Sequence, residues 1–152
     1  MREETRKRIE GELSGFPICE YAFLRPEELP FSEKVRYICR TECPRYGKSW
    51  ACPPAVGSVE ECRKRFLAFE GGFLFTTVSE GADLENMEAL LALRGGHEAI
   101  TRQALAVFRE HFAHVQAFST ESCAICERCT YPDAPCRHPE RMLPSVEGQG
   151  IL

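Results

Sequence analysis

The sequence predicts an α/β or α+β fold, a small sheet with helices, forming a single domain over residues 1–152 with a cysteine-rich loop region towards each end. Three observations lead there. A chain of 152 residues with 43% hydrophobic and 28% charged side chains is long enough for one real core and too apolar for wholesale disorder. The nine cysteines fall into two groups with none between Cys62 and Cys123, and the ten prolines avoid the stretch from Ala55 to Tyr131. That stretch, about 58–119, carries the helix-like and strand-like patterns and reads as scaffold.

Taken in order, Met1–Leu13 can form a short helix with Ile9 and Leu13 inward, although its many charges favour fraying. Ile18–Leu24 and Val35–Ile38 mix aromatic and branched residues and read as short strands. From Cys39 to Pro54, Pro44, Gly47, Pro53 and Pro54 forbid a long helix, so loop is expected. Ser58 with Glu61 is a capping-box pattern opening a helix to about Phe69, with Val59, Cys62, Phe66 and Phe69 on one face. Gly72–Ser79 reads as a buried strand. Asp83 can cap a helix over Leu84–Leu93, Gly95 and Gly96 are expected to break it, and a second helix follows from about His97 to Ala113. Val115–Ser119 returns as a strand, which suggests a crossover unit with helices on the sheet faces.

A net charge of −4 argues against a chain built to neutralise phosphates, so no nucleic-acid partner is expected. No membrane association is expected either, because no run approaches 18 uncharged apolar residues. Met1–Leu13 lacks a hydrophobic signal core, which makes a cytoplasmic location the expectation. An odd number of cysteines in a reducing compartment fits metal binding or catalysis better than a disulfide framework.

The strongest motif is Cys123-x2-Cys126-x2-Cys129-x6-Cys136, followed by Arg137, His138 and Pro139. Three thiolates within seven residues let one loop wrap a face of a cuboidal cluster, and the fourth arrives after a turn through Pro132 and Pro135. Zinc is the alternative, although tetrahedral zinc sites more often draw two separated cysteine pairs. The second motif is Cys39-x3-Cys43-x8-Cys52, ending in Pro53 and Pro54. It is one thiol short of a closed site. The fourth ligand is then Cys19, Cys62, His138, a cysteine of the other set or a non-protein molecule, and an open position would suit an enzyme. Cys19, in a strand, and Cys62, on an apolar helix face, read instead as small buried hydrophobes. His97 reads as a helix-start residue, His111 lies near the apolar face of its helix, and His114 lies near the helix end, where a cation suits the dipole. His138 alone abuts a ligand motif, where exposure or a supporting hydrogen bond is favoured over ligation. Arg40, Arg45, Lys48, Arg128 and Arg137 flank the cysteines and suit docking of an acidic partner. No Ser-His-Asp arrangement, phosphate loop or His-Glu-x-x-His pattern is present.

With Cys39, Cys43, the Tyr46–Pro54 segment, the Cys123/Cys126/Cys129 triplet and Cys136-Arg137-His138-Pro139-Glu140 in order, the chain resembles a cysteine-rich family of predicted metal-binding proteins of unknown function. The resemblance spans roughly Val35–Ile151 and includes Pro144-Ser145-Val146-Glu147 and Gly150-Ile151 in the tail, where members usually continue further. It implies a cytoplasmic protein of anaerobic prokaryotes with metal ligands Cys39, Cys43, Cys52, Cys123, Cys126, Cys129 and Cys136; Cys19 and Cys62 fall outside it.

The expected function is an iron-sulfur protein with one or two clusters of the four-iron kind, acting in electron transfer or as a redox accessory to a partner protein. The alternatives are a zinc-stapled adaptor, or an enzyme with an open metal position on Cys39, Cys43 and Cys52. Whether the chain is an enzyme, and its oligomeric state, stay open at this point.

Overall fold

A computed structural model of the chain describes residues 1–80 and 85–152. The described residues have an α+β architecture of four helices and one small antiparallel sheet, in two compact units. Among the described residues no helix is long and apolar enough to cross a membrane.

The first unit combines Met1–Leu24 with Gly71–Ala117. Helix α1 (Glu3–Leu13) forms as its spacing predicts, with Ile9 fully buried and Leu13 nearly so. Its outer face is laced by i,i+4 pairs such as Arg6–Glu10 and Arg8–Glu4, each worth only a few tenths of a kcal/mol when exposed, about 0.3–0.5. Strands β1 (Glu20–Leu24) and β2 (Gly72–Thr76) pair antiparallel, Phe23 opposite Phe73. Phe23 and Phe73 pack with ring centroids 5.0 Å apart, and Phe73 also meets Phe108 of helix α4 (Met87–His111) at 5.1 Å. Ile9, Leu13 and Ala104 form the centre of this core, covered by Phe16, Ile18, Val107 and Phe112. Glu12 and His111 close one edge at 3.0 Å.

Three expectations for this unit are corrected. The sheet is an antiparallel pair rather than part of a crossover unit. With only two strands, one of its faces stays open, so β2 is not a buried strand, and Leu74 is 59% exposed. Gly95 and Gly96 do not break the helix. Each glycine costs about 1 kcal/mol in a helix interior, but Glu98 spans them by binding Arg94 at 2.8 Å and Arg102 at 2.9 Å. Further along, Ala104, Val107 and Phe108 anchor the helix in the core. The predicted cap Asp83 and helix start Leu84 lie outside the described residues.

The second unit combines Arg25–Glu70 with Phe118–Leu152 and is mostly loop, braced by helices α2 (Glu33–Thr41) and α3 (Val59–Leu67) and two 3₁₀ turns, Pro26–Glu28 and Glu147–Gln149. Val35–Ile38, expected as a strand, lies within α2. The Ser32 hydroxyl accepts from the Lys34 amide at 3.2 Å, Glu33 sits in the first turn and Arg40 in the last. Capping and dipole complementarity outweigh the weak strand preference of two branched residues. Helix α3 starts with the predicted capping box: the Ser58 amide donates to Glu61 at 2.7 Å and the Glu61 amide to Ser58 at 3.2 Å. Those hydrogen bonds from Ser58, backbone first, hold the Glu61 carboxyl below its ordinary range.

Val115–Ser119 forms no regular strand. Ser119 makes a single parallel bridge to Ser145, while Phe118 stacks on Phe66 at 4.7 Å and Phe66 meets Phe31 at 5.5 Å. Phe31 also bridges to Ile151, so the tail is woven back onto the start of the unit. Gly150 makes this possible. It holds φ +87°, and a Cβ there would stand 2.8 Å from Cγ2 of Val59.

Candidate metal centre

All the cysteines except Cys19 belong to the second unit. Cys19 lies just before β1 and is exposed, rather than buried in a strand. None of the nine is in a disulfide.

The carboxyl-terminal motif folds on itself through short local bonds. The Thr130 hydroxyl donates to the Pro135 carbonyl at 2.8 Å, the Ala134 amide to Thr130 at 3.0 Å, and the Arg137 guanidinium to the Arg128 carbonyl at 2.9 Å. These turns bring Cys123, Cys126, Cys129 and Cys136 to the wall of one cavity, together with Ser49, Trp50, Ile125, His138 and Met142. Every one of the four thiols is partly buried, and among the described residues no carboxylate lines the space. Burial opposes ionisation of Cys129. Hydrogen bonding from the backbone amides of Tyr131, Trp50 and Thr130 and from the Ser49 hydroxyl outweighs it, so this thiol sits below its ordinary value. Donors gathered around a sulfur stabilise an anion, which is what a metal ligand must be. His138 also lines the cavity, and its backbone N–H, rather than its ring, donates to Cys136 Sγ at 3.4 Å.

The amino-terminal motif is not all loop. Cys39 occupies the last full turn of α2, and Cys43 follows just beyond the helix end. A loop closed by the Gly47 amide on the Pro53 carbonyl at 2.9 Å then returns the chain to Cys52, whose amide binds the Ser49 carbonyl at 3.2 Å. Gly47 takes φ +68°, the left-handed backbone this reversal needs. Burial raises the thiols of both Cys39 and Cys52, and like charge on neighbouring thiols adds to it: Cys43 on Cys39, and Cys43 with Cys39 on Cys52. Arg36 acts against the rise at Cys39, and the Ser122 hydroxyl and Arg45 against that at Cys52. Glu147 pushes Cys39 further up.

Cys62 is fully buried, as expected, but not as a mere hydrophobe. Arg65 reaches its sulfur at 3.1 Å and Arg36 at 3.9 Å, and its thiol donates to the Val56 carbonyl at 3.4 Å. Arg36 also donates to the carbonyls of Gly57 at 2.6 Å and Gly148 at 2.7 Å, tying α2 to the start of α3 and to the tail. This knot spends Cys62 inside the frame.

The two loops are stitched together. Trp50 Nε1 donates to the Ala134 carbonyl at 3.0 Å and its ring meets Tyr131 edge-on at 4.8 Å. Ser49 serves Cys129 while Ser122 serves Cys52. Sequence reasoning missed Ser49, Ser122, Arg36 and Glu147; Ser49 and Glu147 at least stand inside the motif segments, Tyr46–Pro54 and Pro144–Glu147.

Among the described residues, no three His, Cys, Asp or Glu side chains stand close enough to form a ready-made metal group. The donor set nonetheless fits a thiophilic metal: four thiols on one cavity wall, a sulfur with anion-stabilising donors, and apolar shielding by Trp50, Ile125 and Met142. No curated protein and no solved structure is similar enough to the chain to count as a match. A family model described as predicted metal-binding protein (DUF2284) matches residues 22–152, which contain all of the motif cysteines together with Ser49, Ser122 and Glu147, and the chain belongs to that family.

Proposed function

We propose that the protein carries a four-iron iron-sulfur cluster on Cys123, Cys126, Cys129 and Cys136 and passes single electrons to or from a partner protein. The observation that carries the reading is the gathering of these four thiols on one cavity with hydrogen-bond donors around Cys129. Close cysteine spacing on one loop suits a cuboidal cluster, and N–H donors to its sulfurs raise a reduction potential into a usable range. Partial exposure of all four cysteines supports a centre whose edge a partner can approach. Lys48, Arg128 and Arg137 stand exposed on the same two loops, which favours an acidic partner surface.

Oxygen-free protein should show a broad visible absorption that dithionite bleaches, with iron and sulfide in equal amounts. Colourless protein holding stoichiometric zinc would overturn the cluster and leave a zinc-stapled adaptor as the reading.

A further inference from the structure

Exposed charges on α1 and α3 are paired along the helix itself, as in Arg8 with Glu4 and Lys64 with Glu60. Helix α2 is built differently. Its inner side is held by Arg36, which donates to the carbonyls of Gly57 and Gly148. On its outer side Lys34, Ile38 and Glu42 are all exposed and recur at every fourth position, one ridge of the helix surface. Glu42 is the C-cap residue, but its amide still bonds the Ile38 carbonyl at 2.9 Å, so it keeps the helical phase. Lys34 and Glu42 stand about 12 Å apart along the axis, too far to pair with each other. Among the described residues neither is in an ion pair. Between them Ile38 is 57% exposed, and the adjacent Tyr37 is 59% exposed. The Arg40 guanidinium lies 5.7 Å from the Tyr37 ring centroid and holds the ring beside the ridge.

The order of this ridge is self-complementary. In one direction it runs cation, apolar, anion; a copy laid antiparallel runs anion, apolar, cation. A twofold axis at Ile38 therefore sets Ile38 against Ile38, and Lys34 of each copy opposite Glu42 of the other. A parallel arrangement would oppose like to like, and a partner of single charge would leave either Lys34 or Glu42 facing its own sign.

We infer that the outer face of α2 is a self-association surface on which two copies of this chain pair antiparallel through Lys34, Tyr37, Ile38 and Glu42. None of these residues is a proposed metal ligand, so the pairing stands apart from the function proposed above. A nine-residue helix offers less than the roughly 800 Å² per partner of a stable interface, and the dimer is accordingly reversible and concentration-dependent.

The test is sedimentation equilibrium of the full-length chain, kept oxygen-free and reduced so that no disulfide joins the copies, from about 5 to 200 µM. The average mass should rise from 17.2 kDa towards twice that value. Ile38→Glu, at an exposed helical position, should hold it at the monomer mass. Lys34→Glu and Glu42→Lys each set like charges opposite one another on both sides of the axis and should weaken association about tenfold or more. The charge-swapped Lys34→Glu/Glu42→Lys double variant should associate as the parent does, and an equimolar mixture of the two single variants should associate more strongly than either alone. That rescue separates a lost interface from a lost fold. A parent chain that stays monomeric over the whole range, association that none of the three single substitutions changes, or a double variant no better than the singles would overturn the inference.

Discussion

The indole of Trp50 donates a 3.0 Å hydrogen bond to the carbonyl of Ala134, joining residues 84 positions apart and fastening one cysteine loop to the other. The same ring meets Tyr131 edge-on at 4.8 Å. Trp50→Phe should lose the hydrogen bond and destabilise the protein by about 1 kcal/mol. Trp50→Ala loses the ring contact as well, for a total of about 2–3 kcal/mol. Denaturant unfolding of metal-loaded protein measures both, and equal midpoints for the two variants would contradict the role given to the ring.

Loss of Cys129 should empty the carboxyl-terminal centre, because backbone amides and the Ser49 hydroxyl gather around its sulfur to stabilise the anion. Cys129→Ser is expected to abolish iron and sulfide at that centre, whereas Cys19→Ser leaves the metal content as it was. Cys62→Ala removes the sulfur between Arg36 and Arg65 and should cost stability, about 1–2 kcal/mol, without a change in metals bound per folded chain. Metal analysis of the three purified variants separates ligand from frame.

Gly150 allows the tail to pass Val59. Gly150→Ala places a methyl 2.8 Å from Cγ2 of Val59 on a backbone at φ +87°, and should destabilise by about 2 kcal/mol. Val59→Ala in the same chain opens the space but not the backbone conformation. The double variant should therefore be more stable than the sum of the two single changes implies, which thermal melts of all four proteins check.

Partial burial lowers the pKa of His97, with Glu98 opposing, in a niche where Phe75 stacks on the ring at 5.2 Å and Thr77 Oγ1 lies 2.9 Å from Nδ1. A base with a depressed folded value takes up its proton more readily when unfolded. Stability is thus lost as pH falls from the ordinary histidine value of about 6.5 through the folded value, and is constant below it. His97→Gln should flatten the melting temperature across that window relative to the parent. A parallel decline in both proteins would assign the pH dependence elsewhere.

Much of the architecture was legible because it rests on short-range rules. The Ser58–Glu61 capping box, the inward Ile9 and Leu13, and the aromatic strand after Gly72 each declare themselves within a few residues. The departures arise where distant residues decide. Helix α4 crosses Gly95–Gly96 because Glu98 pairs on both sides and the core holds the next turns. Val115–Ser119 has strand-like side chains, but among the described residues its only strand-like pairing is the isolated bridge from Ser119 to Ser145. Both cysteine sets were readable from spacing. Their supporting groups were not, since Ser122 and Glu147 act on Cys52 and Cys39 across long stretches of chain.

The reciprocal service of Ser49 to Cys129 and of Ser122 to Cys52 means that neither cysteine stretch is a portable module. A peptide cut from either end, or grafted onto a foreign scaffold, would carry its sulfurs but leave behind a hydroxyl that one of them depends on.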